Sequence, residues 1–326
     1  MTSSLAAQKH TPVMLDRCVE LLAPALENGG IIIDATLGLG GHSQALLERF
    51  QNVTLIGLDR DTNALSLASE RLAKYEERFV SVHAVYNELP AALQTVREEL
   101  GLIGADAELR GVLFDLGVSS MQLDEVERGF AYAQDAPLDM RMDQSQGETA
   151  AELLARLDAA ALRSLFKRYG DEPLAARYAD AIVRARQAEP ISRSGALVEI
   201  LQEATPAKLK NQRHPAKRVF QALRVAVNNE LEVLADALPK AMHELAVGGR
   251  LVAMAYQSHE DKIVKTEFAR ATRDTTPAGL PQQLPQFAPE FELLTRGAET
   301  ASEAEQEINP RSIPVRLRAV TRVRIK

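Results

Sequence analysis

Apolar positions along this chain follow two different periods, and the change between them divides it. Gly30 to Asp34, Val53 to Leu58, Phe79 to His83 and Gly111 to Leu116 are short apolar runs. Helical patterns lie between and before them: around Leu15 to Leu22, from Ser43 to Phe50, after Asp61 with Ala64, Leu65, Leu67, Ala68 and Leu72, and from Leu89 to Leu100. Short, mainly apolar strands alternating with helices predict a parallel sheet covered on both faces. From about Asp124 the strand character stops. Leu153, Leu154 and Leu157, then Leu162, Leu165 and Phe166, then Ala179, Ile182 and Val183, then Leu197, Ile200 and Leu201 recur at helical spacing. Strand pattern resumes at Gly248 to Tyr256, after helices predicted from Pro215 to Asn228 and from Asn229 to Leu245. The order predicts an α/β fold with a helical insertion between its fourth and fifth strands. Pro277 to Pro289 reads as a loop, ordered at first and then mobile, before two last strands near Phe291 to Leu294 and Val315 to Val323.

With 326 residues the chain can bury a full α/β core and carry a further subdomain. A single cysteine, Cys18, excludes an intrachain disulfide framework and fits a reducing compartment. No apolar run approaches the ~20 residues that span a membrane. Met1 to Lys9 is small and polar, a loose tail without signal-peptide character, and a cytoplasmic location is expected.

Candidate chemistry begins where the first strand breaks into glycines, at Ile33-Asp34-Ala35-Thr36-Leu37-Gly38-Leu39-Gly40-Gly41-His42. Strand, glycine turn and helix together build the mouth of a nucleotide-type cofactor site, where the backbone approaches the ligand closely. A dinucleotide site asks for G-x-G-x-x-G; here Gly38 and Gly40 fit, the third position is Ser43, and the extra glycine is Gly41. The Asp34 carboxylate would repel a pyrophosphate and suits a ligand with an amino group and a sulfonium, which points to S-adenosylmethionine. Asp59, closing the second strand, stands where an acid accepts hydrogen bonds from ribose hydroxyls, or else caps the next helix. Asp34, Asp59, His83 and Asp115 all fall at carboxyl ends of predicted strands, where an open α/β sheet binds its ligands. Asp115 alone also reads as a loop cap, and Tyr86 as either a ring against an adenine or simple packing.

The net charge of −7 is unevenly spread. No acid lies between Glu203 and Glu230, a window holding Lys208, Lys210, Arg213, His214, Lys217, Arg218 and Arg224. A second acid-free stretch after Glu307 holds Arg311, Arg316, Arg318, Arg322, Arg324 and Lys326. Both patches could hold phosphates or be solvated helix faces, and the absence of tryptophan does not advertise splayed single strands.

Several blocks in fixed order resemble one family: His10-Thr11-Pro12-Val13, Asp34 to His42, Asp59-Arg60-Asp61, Asp115 to Asp124, Arg128-Gly129-Phe130, Pro137 to Asp143 and His214 to Gln221. They are similar to the RsmH (MraW) family of S-adenosylmethionine-dependent methyltransferases, which modify the exocyclic N4 of a cytidine in the decoding region of small-subunit (16S) ribosomal RNA. The likeness runs from about His10 to Lys265 and recurs at Asn309-Pro310-Arg311. It implies a Rossmann-like class I methyltransferase fold, residues 1–123 plus 213–326, with a helical RNA-recognition insertion at 124–212. It places Gly40, Gly41, His42, Asp59, Tyr86, Asp115 and Gln122 at cofactor-contacting positions, beside the Asp34 and Gly38 read from the turn itself. The implied partner is 16S ribosomal RNA in the small subunit, with no membrane; no residue is assigned as a metal ligand, and metal dependence and a homodimer are left open.

One block departs from the family. Where relatives usually read Ser-Phe-His-Ser-Leu-Glu-Asp, this chain has Ala255-Tyr256-Gln257-Ser258-His259-Glu260-Asp261. Gln257 in place of the histidine removes a base but could still orient a target amine. Methylation at a cytosine carbon would need a cysteine nucleophile, and Cys18 is expected far from the strand ends. Direct transfer to nitrogen needs only alignment and acceptors for the amine hydrogens. The expected acceptors are Asp115, or Asp139 and Asp143. A NAD-dependent oxidoreductase of the same topology, and a non-catalytic RNA-binding scaffold with a retained pocket, are the competing readings.

Overall fold

The computed structural model describes residues 12–209, 214–277, 282 and 284–325. His10, Thr11, Lys210, Arg213 and Lys326 lie outside the described residues, as does part of the Pro277 to Pro289 segment. The chain divides into two compact units, one of residues 1–117 and 231–326 and the other of residues 118–230.

In the first unit the strands are β1 (Gly30–Asp34), β2 (Val53–Asp59), β3 (Phe79–His83), β4 (Leu109–Asp115), β5 (Leu245–Ala255), β6 (Phe291–Leu293) and β7 (Arg316–Arg322). They form one sheet in the order β3-β2-β1-β4-β5-β7-β6. Neighbours from β3 to β5 are parallel, while β7 runs antiparallel to both β5 and β6. Chain order reverses between β1 and β4, which makes the crevice at their carboxyl ends the topological switch point of a Rossmann-like sheet.

The helices that cover this sheet are α1 (Leu15–Leu26), α2 (Gly41–Arg49), α3 (Thr62–Leu72) and α4 (Leu89–Glu99), joined late in the chain by α11 (Glu230–Glu244) and α12 (Ser258–Ala271). All five residues of β1 are buried, and its side chains alternate between two cores. Ile31 and Ile33 pack with Leu93 of α4, Leu238 of α11 and Phe268 of α12. Ile32 packs on the other face with Leu22 of α1, Leu46 of α2 and Leu65 of α3. α1 extends past its predicted end through Pro24, because Ala25 and Leu26 complete its buried stripe. A short helix, α13 (Glu303–Ile308), precedes β7.

The second unit holds α5 (Ser120–Asp124), α6 (Ala150–Arg156), α7 (Ala159–Gly170), α8 (Ala175–Ala185), α9 (Ser194–Ala204) and α10 (Ala216–Asn228). Its span, 118–230, is wider than the 124–212 expected. The reason is α10, whose Val219, Phe220, Ala222 and Leu223 are buried in one core with Leu162 and Phe166 of α7.

Candidate active site

The turn after β1 is closed by its own polar side chains. Asp34 Oδ1 accepts from the Thr36 N–H at 3.2 Å, and Oδ2 accepts from the Ser43 hydroxyl at 2.7 Å. Ser43 therefore occupies the third-glycine position for a reason: it anchors the start of α2 to the end of β1. Burial, more than any neighbour, pushes the Asp34 carboxyl above its ordinary range, while Ser43, His42 and Thr36 work against that rise. Gly38 and Gly40 have φ of 50° and 72°, in the left-handed region that side chains disfavour. A Cβ on Gly38 would meet nothing nearer than the Thr36 carbonyl oxygen at 3.9 Å, so the turn is open there to a ligand. Gly41 has another role, since a Cβ on it would lie 2.5 Å from Pro12 Cγ.

Asp59 at the end of β2 reaches across to this turn. Its Oδ2 accepts from the Gly38 N–H at 2.8 Å and its Oδ1 from the Asp61 N–H at 2.9 Å. The helix cap is Asp61, which accepts from Asn63 and Ala64, and Asp59 is left to the crevice. Burial foremost, with the charges of Asp61 and Asp34, pushes its carboxyl up to about 6. His83 ends β3 as placed, but it is exposed and its Nε2 lies 3.1 Å from the Arg60 carbonyl. Tyr86 sits just past that strand and meets Phe114 of β4 edge-on, with ring centroids 5.7 Å apart.

β4 brings Asp115 to the same place. Its N–H donates to Thr36 Oγ1 at 2.6 Å, its Oδ2 lies 3.7 Å from His42 Nδ1, and its Oδ1 accepts from the Tyr256 hydroxyl at 2.8 Å. His42, at the start of α2, holds its other nitrogen 3.0 Å from the Val13 carbonyl. Residues from β1, β2 and β4 thus converge beside one glycine turn. Tyr256 is not among the residues the sequence singles out. The signal present in the sequence is the departure of its block from the family pattern, which points to Gln257 instead. Gln257 proves to be the N-cap of α12, with its Nε2 donating to Glu260 Oε1 at 3.2 Å.

Cys18 is not far from the strand ends. Its thiol, fully buried, lies 3.6 Å from Met254 Sδ, and Met254 pairs with Asp115 in the sheet. α1 crosses the sheet there, which the local pattern could not reveal. Burial, then the charges of Asp115 and Asp34, pushes the thiol well up, so it stays protonated and is not a nucleophile.

In the second unit Gln122 is buried and forms a reciprocal cap with Ser119 at the start of α5. Asp139 binds the Arg141 guanidinium through both oxygens, at 2.8 and 2.9 Å. Burial opposes its ionisation, but Arg141 prevails and holds the carboxyl below its ordinary range. Asp143 accepts from the backbone and hydroxyl of Ser145 and from Gln146. Asn228, also unforeseen, ties α10 to the same loop through Met142 N–H and the Met140 carbonyl, each at 2.8 Å.

The basic windows are thinner than their composition. Arg224 pairs through two hydrogen bonds with Glu230, and Arg218 donates to the Asp171 carbonyl, while Lys208 and Lys217 are exposed. After Glu307, Arg318 pairs with Asp261, and Arg322 is buried against the carbonyls of His243 and Leu245. These arginines hold the fold together instead of waiting for phosphates. No described helix is long and apolar enough to cross a membrane.

Known proteins resemble this chain over nearly its whole length. The Ribosomal RNA small subunit methyltransferase H of Leifsonia xyli subsp. xyli is 57% identical over 325 residues, 99% of this chain and 98% of that protein. The protein of the same name from Saccharopolyspora erythraea is 54% identical over 321 residues, 98% of this chain and 95% of its own. Among solved structures, an rRNA methylase from Streptococcus thermophilus is similar over 94% of this chain and 93% of its own, at 14% identity and a TM-score of 0.41. A match to the MraW methylase family covers residues 7–323, and the chain belongs to that family.

Proposed function

We propose that this protein is an S-adenosylmethionine-dependent methyltransferase that modifies the exocyclic N4 of a cytidine in small-subunit ribosomal RNA, and that it works in the cytoplasm. The observation that carries the chemistry is the convergence of Asp34, Asp59 and Asp115, from the ends of three neighbouring strands, beside a glycine turn with an open face. The RNA substrate is supported by relatives more than half identical over nearly the whole chain, each named a ribosomal RNA small subunit methyltransferase.

When bound, the cofactor supplies a methyl group on a sulfonium. Asp59 accepts from its ribose hydroxyls; both oxygens keep acceptor capacity beyond the backbone bonds they already make. Tyr86 offers its ring to the adenine. Asp34 shapes the turn of Gly38, Gly40, Gly41 and His42 through Thr36 and Ser43. Gln122 joins this set through the family resemblance alone. Asp115 accepts from the target amine, drawing its lone pair out of conjugation with the ring, and the inert Cys18 thiol supports transfer without a covalent intermediate. Asp139 and Asp143 are second in line for that role, since their oxygens are engaged by Arg141, Ser145 and Gln146. Lys208 and Lys217 contact phosphates while the base is extruded. An oxidoreductase reading loses ground because Ser43, bonded to Asp34, stands where a pyrophosphate turn requires glycine.

Small ribosomal subunits lacking the modification, incubated with labelled S-adenosylmethionine and digested to nucleosides, test this reading. Label on a cytidine amine is expected; label elsewhere overturns it.

A further inference from the structure

Two different atoms pin Asp115. Its backbone is held by Thr36 Oγ1, and its side chain by the Tyr256 hydroxyl, which stands just beyond the Met254 that pairs with Asp115 across β4 and β5. In that contact the phenol is the donor, because an ionised carboxylate has no proton to give. Burial, then the Asp115 charge, keeps the phenol protonated and the donor in place. His42 gives Asp115 no comparable direction when its ring is neutral. A carbonyl only accepts, so Nε2 beside Val13 carries the hydrogen and Nδ1 turns a lone pair towards Oδ2. Gln257, the next residue along, spends its amide on Glu260.

We propose that Tyr256 is a positioning residue for methyl transfer: its hydroxyl fixes the plane of the Asp115 carboxylate and turns Oδ2 towards His42 and the glycine turn. The inference rests on the proposed function, in which Asp115 is the acceptor. It assigns Tyr256 a role that its ring alone could not perform. A phenylalanine would fill the same apolar space next to Met254 and α1 and remove the donor from Asp115 Oδ1.

Tyr256→Phe keeps the ring and removes only the donor, so the test separates orientation from packing. Transfer of labelled methyl to unmodified small subunits is measured for the wild type, Tyr256→Phe, Asp115→Asn and the double variant. Loss of one hydrogen bond to a charged group lowers kcat/KM about tenfold in the wild-type background. In the Asp115→Asn background the same change costs less than about twofold, because the charged acceptor that the hydroxyl orients is gone. Alongside, carbon-13 NMR of the Asp115 carboxyl in the unliganded full chain reads the interaction directly. The carboxyl is faced by Tyr256 after β5, His42 on α2, Asp34 on β1 and Cys18 on α1, while Glu260 on α12 faces Tyr256. Its titration midpoint is expected to rise in Tyr256→Phe, since the charged form loses a donor.

A kcat/KM within about twofold of wild type, an equal loss in both backgrounds, or an unmoved midpoint overturns the proposal. Should Asp115→Asn be too slow to assay, the midpoint decides. Should the wild type methylate no RNA, the functional reading fails, and the midpoint still reports whether Tyr256 governs Asp115.

Discussion

Ser43 Oγ donates to Asp34 Oδ2 at 2.7 Å, joining the first turn of α2 to the last residue of β1 around the glycine turn. The residue that departs from a dinucleotide motif is thus the one that holds the turn shut. Ser43→Ala leaves a buried carboxylate short of a donor and is expected to cost about 1–3 kcal/mol of stability. The cost depends on pH with a definite sign. A carboxyl raised in the folded state contributes stability below its unfolded pKa and loses it as pH rises through the folded value. Removing Ser43 raises the folded value further. Urea unfolding should therefore show a larger loss at pH 8 than at pH 4.5, and an equal loss at both would contradict the assignment.

With Asp59 accepting the ribose hydroxyls, as proposed, cofactor affinity depends on pH in the opposite sense. Burial pushes its carboxyl up to about 6, and the ionised form is the stronger acceptor. Calorimetric titration with S-adenosylhomocysteine is expected to show constant affinity above pH 7 and, below about 6, a fall approaching tenfold per pH unit. Asp59→Ala should bind weakly at every pH and lose this dependence.

The three candidate acceptors rank differently by their bonds. Asp115→Asn is expected to lower transfer by about 100-fold or more, in the range of a lost acid or base. Asp139→Ala, which removes the Arg141 partner, should leave S-adenosylhomocysteine affinity within about twofold and lower transfer by less than about tenfold. A rate for Asp139→Ala as low as that of Asp115→Asn would move the acceptor to the 137–143 loop.

Charge reversal in the basic window is best made at Lys208 and Lys217, which are exposed, because Arg218 and Arg224 serve as internal ties. Lys208→Glu with Lys217→Glu should weaken RNA binding, most at low salt, and reduce the salt slope by about 1 for each phosphate no longer neutralised. Cofactor affinity should not move. Unchanged RNA binding by filter assay would remove this patch from the interface.

Much of the first unit is legible in the sequence because its strands are continuous apolar runs ended by polar residues. β1 and β3 match their predicted bounds, and Asp34, Asp59 and Asp115 end strands as the pattern implies. What escapes the sequence depends on which strands lie side by side. Asp115 meets Tyr256 across 141 residues only because β4 neighbours β5, and Arg318 finds Asp261 only because β7 returns beside it. A basic residue near the chain end reads as surface until strand order supplies its partner. The same holds for Cys18, which is distant from the site along the chain and close to it across the sheet. In the second unit, α10 falls on the other side of the expected boundary, since its buried face looks the same in sequence whichever core it fills.

The interruption of the sheet after β4 also sets an order of events during synthesis. Residues 118–230 must be made between β4 and the strand that pairs with its far edge. At about 5–20 residues per second that delay lasts several seconds, long compared with local helix formation. The helical unit can fold first while β4 keeps one open edge, a site for mispairing that closes only when β5 emerges. Because Tyr256 lies beyond β5, its hydrogen bond to Asp115 can form only after β5 has been made, and a chain stalled before that point carries the glycine turn without this contact.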